Sequence, residues 1–140
     1  MVYIDTSALV PLFIREPSSD AVIDWLASSE ESFAISEWTL VEFASATSIK
    51  QRAGQAPASL IKRATARMHE FVQKHCTVAV LARENFHRAR ELAGDAALKL
   101  RAGDALHLAM AEGLNAQSIL CLDQPMIESA KVLGLAVAEI

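Results

Sequence analysis

Four acidic residues stand out because of where they fall in the sequence. Asp5 and Asp123 each follow, or nearly follow, a short apolar run typical of a buried strand. Asp104 comes at the expected start of a helix, directly after a glycine, and Glu42 lies inside an apolar stretch of another helix. Buried carboxylates are rare unless they are paired or bound to a metal ion. The four acids are therefore candidate metal ligands, provided that the fold brings them together.

Each of these acids also has an ordinary structural explanation. Asp5, Asp104 and Asp123 stand where a helix is expected to begin, and a carboxylate there accepts hydrogen bonds from free backbone N–H groups. Glu42 can form an ion pair with a lysine or an arginine. From single residues, the structural and the chemical interpretations are equally acceptable, and the choice depends on whether the acids converge.

Short apolar runs alternate with helical patterns along the whole chain. The predicted strands are 2–4, 33–35, 77–80, 118–122 and a short terminal strand at 136–137. The predicted helices are 6–14, one from about residue 18, one from residue 36 or 37, one over 60–72, and then 84–98, 101–111 and 125–133. Strands that alternate with helices predict a parallel sheet covered by helices on both faces.

The first strand organises this arrangement. Asp5 stands at its carboxyl end, where open α/β sheets place their ligand sites. Thr6 or Ser7 is expected to cap the helix that follows. Pro11 within that helix predicts an irregular turn.

Length and composition limit the class of protein. A chain of 140 residues predicts one domain, 1–140, and its hydrophobic share of 52% is sufficient for a core. No apolar run approaches the ~20 residues of a membrane span, and no signal peptide precedes Asp5, so we expect a cytoplasmic protein without a membrane partner. Cys76 and Cys121 lack the spacing of a metal or redox motif and are expected to be reduced and packed.

Charge is distributed unevenly along the chain. The net charge of −4 argues against a general nucleic-acid coat protein. However, the segment from Lys50 to Arg101 holds 11 basic and 4 acidic residues and so has a net charge of +7. A basic middle between acidic ends suits a protein that holds a polyanion with one part and metal ions with another, although solvated helix faces explain it equally well.

Together these segments resemble the PIN-domain family. The resemblance rests on Tyr3-Ile4-Asp5-Thr6-Ser7-Ala8-Leu9, Leu40-Val41-Glu42, Gly103-Asp104-Ala105-Leu106-His107-Leu108-Ala109, and Leu122-Asp123 before Ala130-Lys131-Val132-Leu133-Gly134-Leu135. It runs from Val2 to about Val137, and the short form is similar to the VapC toxins of bacterial toxin–antitoxin pairs. One departure is Cys121, because the family usually has threonine two residues before its fourth acid.

The resemblance implies a fold, an activity and a set of partners. The expected fold is α/β, a PIN-like three-layer α/β/α sandwich with a central, mostly parallel sheet. The expected protein is a toxin of a type II toxin–antitoxin pair, a metal-dependent endoribonuclease that hydrolyses RNA phosphodiester bonds. Its expected partners are substrate RNA, a cognate VapB-type antitoxin and a second copy of the chain in a homodimer. The implied catalytic and metal residues are Asp5, Glu42, Asp104 and Asp123.

The implied cofactor is Mg²⁺ or Mn²⁺, which suits oxygen ligands. Asp5 and Asp104 are expected to be the primary ligands, and Glu42 and Asp123 to complete the shell. Ser7 is expected to hydrogen-bond a ligand or metal-bound water. His107 follows Asp104 by three residues and is expected to support or pack against the site, because imidazole suits Mg²⁺ poorly. The other histidines, His69, His75 and His87, are expected to be solvated.

Five basic residues are the expected phosphate contacts, although each can instead meet a protein partner: Lys50, Arg52, Lys62, Arg63 and Arg67. Two other functions remain open. One is a catalytically inactive PIN-like RNA-binding or scaffolding domain. The other is a phosphotransfer or phosphatase domain with Asp5 as nucleophile, which is disfavoured because Ser7 stands where dehalogenase-like phosphatases need a second aspartate.

Overall fold

The structure, a computed structural model, describes residues 1–140. Strands and helices alternate as predicted. The strands are β1 (Val2–Ile4), β2 (Phe33–Ser36), β3 (Cys76–Ala79), β4 (Ser118–Leu120) and β5 (Ala136–Val137). The helices are α1 (Thr6–Leu9), α2 (Ser19–Ser28), α3 (Glu37–Arg52), α4 (Ala58–His75), α5 (Arg83–Gly94), α6 (Ala102–Gly113) and α7 (Gln124–Val132).

The five strands form one parallel sheet in the order β3-β2-β1-β4-β5. Strand β1 is central, with Val2 beside Phe33 of β2 on one side and Ser118 of β4 on the other. The carboxyl ends of these three strands therefore meet at one edge of the sheet, where ligands bind in α/β proteins. The α/β prediction with a mostly parallel central sheet is confirmed.

Alternate residues of β1 face two separate cores, as the period of a strand requires. Tyr3 packs in the core that α5, α6 and α7 cover. Val2 and Ile4 pack in the second core, beneath α1 to α4. The chain thus has helices on both faces of the sheet, the three-layer arrangement expected of the fold. None of its helices combines the length and the apolar character needed to span a bilayer.

The first helix begins differently from the prediction. Asp5, not Thr6 or Ser7, is its N-cap, and the Asp5 carboxylate accepts a hydrogen bond from the backbone N–H of Ser7 at 3.0 Å. The helix ends at Leu9 and continues as a 3₁₀ turn, Val10–Leu12. The ring of Pro11 supplies no N–H, which explains the change from the predicted helix over 6–14.

Two other predicted boundaries differ. Helix α5 ends at Gly94, not Leu98, and β4 ends at Leu120, not Leu122. Residue spacing placed α3 correctly, but its buried face consists of Thr39, Phe43 and Thr47. Val41 is 58% exposed.

Candidate active site

The Asp5 carboxylate lies at the carboxyl end of β1 and is almost fully buried. Its backbone N–H donates to Leu120 of β4 at 3.0 Å, so the turn out of β1 is attached to the neighbouring strand. The Ser7 hydroxyl donates to Oδ2 of Asp5 and accepts from the backbone N–H of Leu122 at 2.8 Å. Ser7 therefore joins the first acid to the end of β4, and it leaves Oδ1 of Asp5 available for other partners.

Glu42 approaches Asp5 from the first half of α3. Its Oε2 atom accepts a hydrogen bond from the Thr6 hydroxyl at 2.8 Å and lies 2.6 Å from Nε2 of His107. The same Nε2 atom lies 3.1 Å from Oδ1 of Asp5. The ligand atoms of Asp5, Glu42 and His107 all lie within 4.8 Å of one another. Three distant parts of the chain therefore meet in one cluster.

His107 is held at both ring nitrogens. Its Nδ1 lies 2.9 Å from the hydroxyl of Tyr3, and that hydroxyl lies 2.8 Å from Oγ of Ser36 at the start of α3. Both His107 and Tyr3 are 1% exposed or less. A protonated imidazole satisfies this arrangement, because it donates from Nδ1 to Tyr3 and from Nε2 to the carboxylates.

The charges of the cluster are mutually dependent. Burial opposes a charge on His107, but the carboxylates of Asp5 and Glu42 outweigh it and raise the pKa of His107 above its ordinary value. Burial likewise opposes ionisation of Glu42, but hydrogen bonds from His107 and Thr6 and the charge of His107 outweigh it and lower the pKa of Glu42. Both pKa shifts favour a protonated imidazole beside an ionised carboxylate.

Asp104 lies outside this compact cluster, in the first turn of α6. Its Oδ2 atom accepts from the backbone N–H of Arg101 at 3.2 Å, so it serves as part of the helix start. Its pKa is raised, first by burial and then by the negative charges of Asp123 and Asp5. Asp104 is therefore close enough to these acids to be repelled by them. Its role as a primary metal ligand remains a prediction.

Asp123 is the N-cap of α7 and accepts from the backbone N–H of Met126 at 3.0 Å. Its own N–H donates to Sγ of Cys121 at 3.3 Å. The Cys121 thiol therefore accepts the hydrogen bond that a threonine hydroxyl would accept at this position. Burial raises the pKa of Cys121, so its thiol stays protonated.

Gly103 provides the space for the Glu42 carboxylate. A Cβ atom at Gly103 would stand 2.5 Å from Oε1 of Glu42, closer than any real side chain permits. The indole nitrogen of Trp38, on α3, is buried beside them without a hydrogen-bond partner of good geometry. The glycine therefore leaves room for the Glu42 carboxylate in its present position between α3 and α6.

Two surface grooves contain residues of the site or lie against it. An apolar groove of about 570 Å³ passes between α3, α5 and α6 and includes Trp38, Phe86, Leu106 and Gly103. We call it the α5–α6 groove.

A second, polar groove of about 620 Å³ includes Thr6, Ser7 and Asp123. Lys50 also lines it and forms an ion pair with Glu16 at 2.5 Å. Of the five basic residues predicted to contact phosphate, Lys50 is the one that lines this groove. Arg52 donates to the Ser48 hydroxyl, and the three on α4, namely Lys62, Arg63 and Arg67, are exposed.

A model of the PIN domain family matches residues 2–131. The chain belongs to the PIN domain family. This confirms the family predicted from the sequence motifs. A search of curated protein sequences finds no significant match.

Solved structures share the PIN fold over the full chain. VapC20 of Mycobacterium tuberculosis, a sarcin–ricin loop cleaving toxin, is 16% identical, with a TM-score of 0.73 and 97% of each chain covered. A toxin–antitoxin complex from Klebsiella pneumoniae is 19% identical, with a TM-score of 0.67 and coverage of 99% of this chain and 97% of the other. VapBC2 from Rickettsia felis, bound to a promoter DNA fragment, is 17% identical, with a TM-score of 0.68 and coverage of 99% and 98%.

The donor set of this PIN domain fits a divalent cation. The side chains of Asp5, Glu42, Asp104 and Asp123 offer carboxylate oxygens, which Mg²⁺ and Mn²⁺ prefer. The pocket already stabilises positive charge, because His107 is buried between Asp5 and Glu42. His107 is less suited as a ligand than its place in the cluster suggests, since both of its nitrogens have hydrogen-bond partners.

Of the four acids predicted from the sequence, the structure brings Asp5 and Glu42 together with His107, and the site roles of all four remain predictions. The position of His107 is compatible with the expected supporting role. Its direct contacts with Glu42 and Tyr3 could not be predicted, because the only indication in the sequence was the three-residue spacing from Asp104. Thr6, expected to be a helix cap, instead donates to Glu42. The basic residues of α5 were also not singled out.

Proposed function

We propose that this PIN domain is a ribonuclease that depends on Mg²⁺ or Mn²⁺ and hydrolyses RNA phosphodiester bonds. The observation that carries the proposal is the convergence of Asp5, Glu42 and His107 within 4.8 Å at the carboxyl end of the central strand. Membership of the PIN family supports the nuclease class. The proposed metal ligands are Asp5 and Asp104, with Glu42 and Asp123 completing the shell.

A divalent ion held by these carboxylates would activate the attacking water and stabilise the leaving oxygen. The chain itself does the positioning. Ser7 fixes the orientation of the Asp5 carboxylate, and Thr6 does the same for Glu42. Protonated His107 offsets part of the negative charge of these two acids while no metal ion is bound, so the free protein tolerates the cluster. No side chain needs to act as a general base.

The test is an RNA cleavage assay with purified protein in Mg²⁺, in Mn²⁺ and in excess EDTA. Cleavage in either metal that EDTA abolishes is the expected result. Undiminished cleavage in EDTA would exclude the metal mechanism. Absence of cleavage in both metals, with RNA binding retained, would favour the alternative of an inactive RNA-binding or scaffolding domain. Trapping of an acyl phosphate on Asp5 would instead indicate phosphotransfer.

We further propose that the protein is the toxin of a VapBC-type pair and that the antitoxin binds in the α5–α6 groove. Structural neighbours include a toxin–antitoxin complex and VapBC2. The groove is apolar and includes Gly103, which lies against the Glu42 carboxylate, so an occupant would reach the edge of the acid cluster. A short upstream reading frame that encodes a DNA-binding antitoxin, and inhibition of cleavage by its product, would support this assignment.

A homodimer is the remaining partner that we propose. Val41 and Ile49 lie two turns apart on one face of α3 and are 58% and 53% exposed. Such large apolar side chains on one exposed face suit a contact with a second copy. Light scattering of wild type and of Val41→Asp tests this, because the substitution is expected to shift a dimer towards monomer.

A further inference from the structure

Helix α5 presents a cationic face that surrounds one exposed aromatic ring. Arg83, Phe86, His87 and Arg90 line a recess of about 570 Å³, and their spacing places them on one side of the helix. Phe86 is 53% exposed. Neither arginine forms an ion pair within the chain, although two glutamates lie on the same helix. These glutamates, Glu84 and Glu91, line an adjacent recess, which Arg83 and His87 also border.

Arg88, which also lies on α5, has a structural role. Arg88 donates from Nε to Glu112 of α6 at 2.7 Å and lies 3.3 Å from Glu91. Its charge is therefore used to attach α5 to α6. Arg83 and Arg90 have no such partner, so their charges are available to a ligand.

The cationic face is joined to the candidate active site. Phe86 and Arg90 line both the recess and the α5–α6 groove, so they form the boundary between the two. The groove continues to Gly103, which lies against the Glu42 carboxylate. A chain-like ligand with its reactive group at the acids can therefore reach the α5 face without leaving the surface.

We propose that the α5 face, defined by Arg83, Phe86, His87 and Arg90, binds single-stranded RNA that flanks the cleaved bond. Arg83 and Arg90 contact phosphates, and Phe86 stacks on a base. This proposal rests on the proposed ribonuclease function. It adds to that function a binding surface outside the acid cluster, formed by one face of α5.

The chemistry of the face favours RNA over a peptide. Unpaired cations beside an exposed aromatic ring are the combination that binds single strands, in which phosphates and the flat faces of bases are both accessible. A duplex hides those base faces in its stack. The chain as a whole has a net charge of −4, so this cationic face is a local feature and not a consequence of general basicity.

The first test is binding of a fluorescein-labelled, unstructured RNA oligonucleotide in EDTA, which prevents cleavage. Arg83→Gln/Arg90→Gln is expected to weaken binding and to reduce the slope of log K against log salt by about 1.4, as for the loss of two single-strand phosphate contacts. The matched control is Lys99→Gln/Lys131→Gln, which removes two exposed charges that have no ion-pair partner elsewhere on the surface. Its slope is expected to stay at the wild-type value.

The second test concerns the aromatic ring of Phe86. Phe86→Leu is expected to weaken binding about tenfold, the effect of losing one base stack, whereas Phe86→Trp is expected to retain wild-type affinity. Neither substitution is expected to alter the weaker binding of a duplex of the same sequence. Circular dichroism of each variant checks that α5 remains folded.

Several outcomes would overturn the proposal. They are equal slopes in the α5 variant and the control, equal loss of affinity in the leucine and tryptophan variants, or no RNA binding by wild type. Loss of antitoxin binding alone in the α5 variant would assign the face to a protein partner. The ribonuclease function is tested separately, by cleavage in Mg²⁺. If wild type and the α5 variant cleave equally well but the binding tests fail, the ribonuclease function still stands and only the binding role of the α5 face is wrong.

Discussion

Nε2 of His107 lies 2.6 Å from Oε2 of Glu42, and the same nitrogen lies 3.1 Å from Oδ1 of Asp5. One imidazole thus contacts both carboxylates, although the three residues come from different elements. Both carboxylates favour the protonated form of this buried imidazole. The protonation state of His107 therefore affects how much the acid cluster lowers the free energy of unfolding.

Without metal, stability is expected to depend on pH through this pair. The pKa of His107 is raised, so its stabilising contribution is complete below its ordinary value of 6.5 and is lost as pH rises through the folded-state pKa. The pKa of Glu42 is lowered, so its contribution is present above 4.5 and is lost as pH falls through the folded-state pKa. With respect to this pair, the free energy of unfolding in EDTA should be greatest between these two ordinary values.

Urea unfolding of wild type and His107→Gln across this range measures the effect. The variant leaves the buried Asp5 carboxylate and the partly exposed Glu42 carboxylate without the imidazole, which is expected to cost about 3 kcal/mol at slightly acid pH. It should also lack the decline in stability on the alkaline side. The same decline in both proteins would mean that His107 is neutral in the folded state.

Asp104→Asn separates the proposed site from the scaffold. Burial and nearby acids raise the pKa of Asp104, so its ionised form at neutral pH costs stability that an amide avoids. The variant is expected to lose cleavage and to melt in EDTA at the wild-type temperature or above. Mg²⁺ should stabilise wild type more than the variant, because only a ligand of the folded state adds stability. A melt in EDTA well below wild type would make Asp104 a structural cap.

Gly103→Ala tests the close approach at Glu42. The new Cβ atom would displace the Glu42 carboxylate, so cleavage is expected to fall at least tenfold. Stability is expected to change by less than about 1 kcal/mol, since alanine favours a helix and a flexible side chain can move. Gly94→Ala is the control, because nothing lies within 4 Å of its added Cβ atom. Equal activity of the two variants would contradict the geometry.

Cys121 gives a matched pair of substitutions of similar size. Cys121→Thr keeps an acceptor for the backbone N–H of Asp123, whereas Cys121→Val removes it. The threonine variant is expected to retain cleavage. The valine variant is expected to lose about 1 kcal/mol of stability and part of its stabilisation by Mg²⁺. Thermal melts with and without Mg²⁺ measure both effects. Identical melts of the two variants would show that the Cys121 thiol contributes packing but no hydrogen bond.

The sequence was sufficient for local features and for the family. Strand and helix patterns depend on neighbouring residues, and the carboxyl end of β1 follows from Val2–Ile4 and Asp5. The contacts of His107 depend instead on Tyr3, which lies 104 residues earlier in the chain. The buried face of α3 was similarly inaccessible, because Thr39 and Thr47 are buried whereas the apolar Val41 is 58% exposed. Spacing identifies a helix, but the surrounding layers decide which side is covered.

The position of β1 at the centre of the sheet has a consequence during synthesis. Residues 2–4 are synthesised long before one of their two strand partners, residues 118–120. The Ser7 hydroxyl, which orients Asp5, cannot accept its hydrogen bond from Leu122 until that residue has been synthesised. His107 is synthesised only shortly before Leu122. A nascent chain therefore carries its first acid long before that acid has its surroundings. The acid cluster therefore cannot assemble until residues 107–122 have been made.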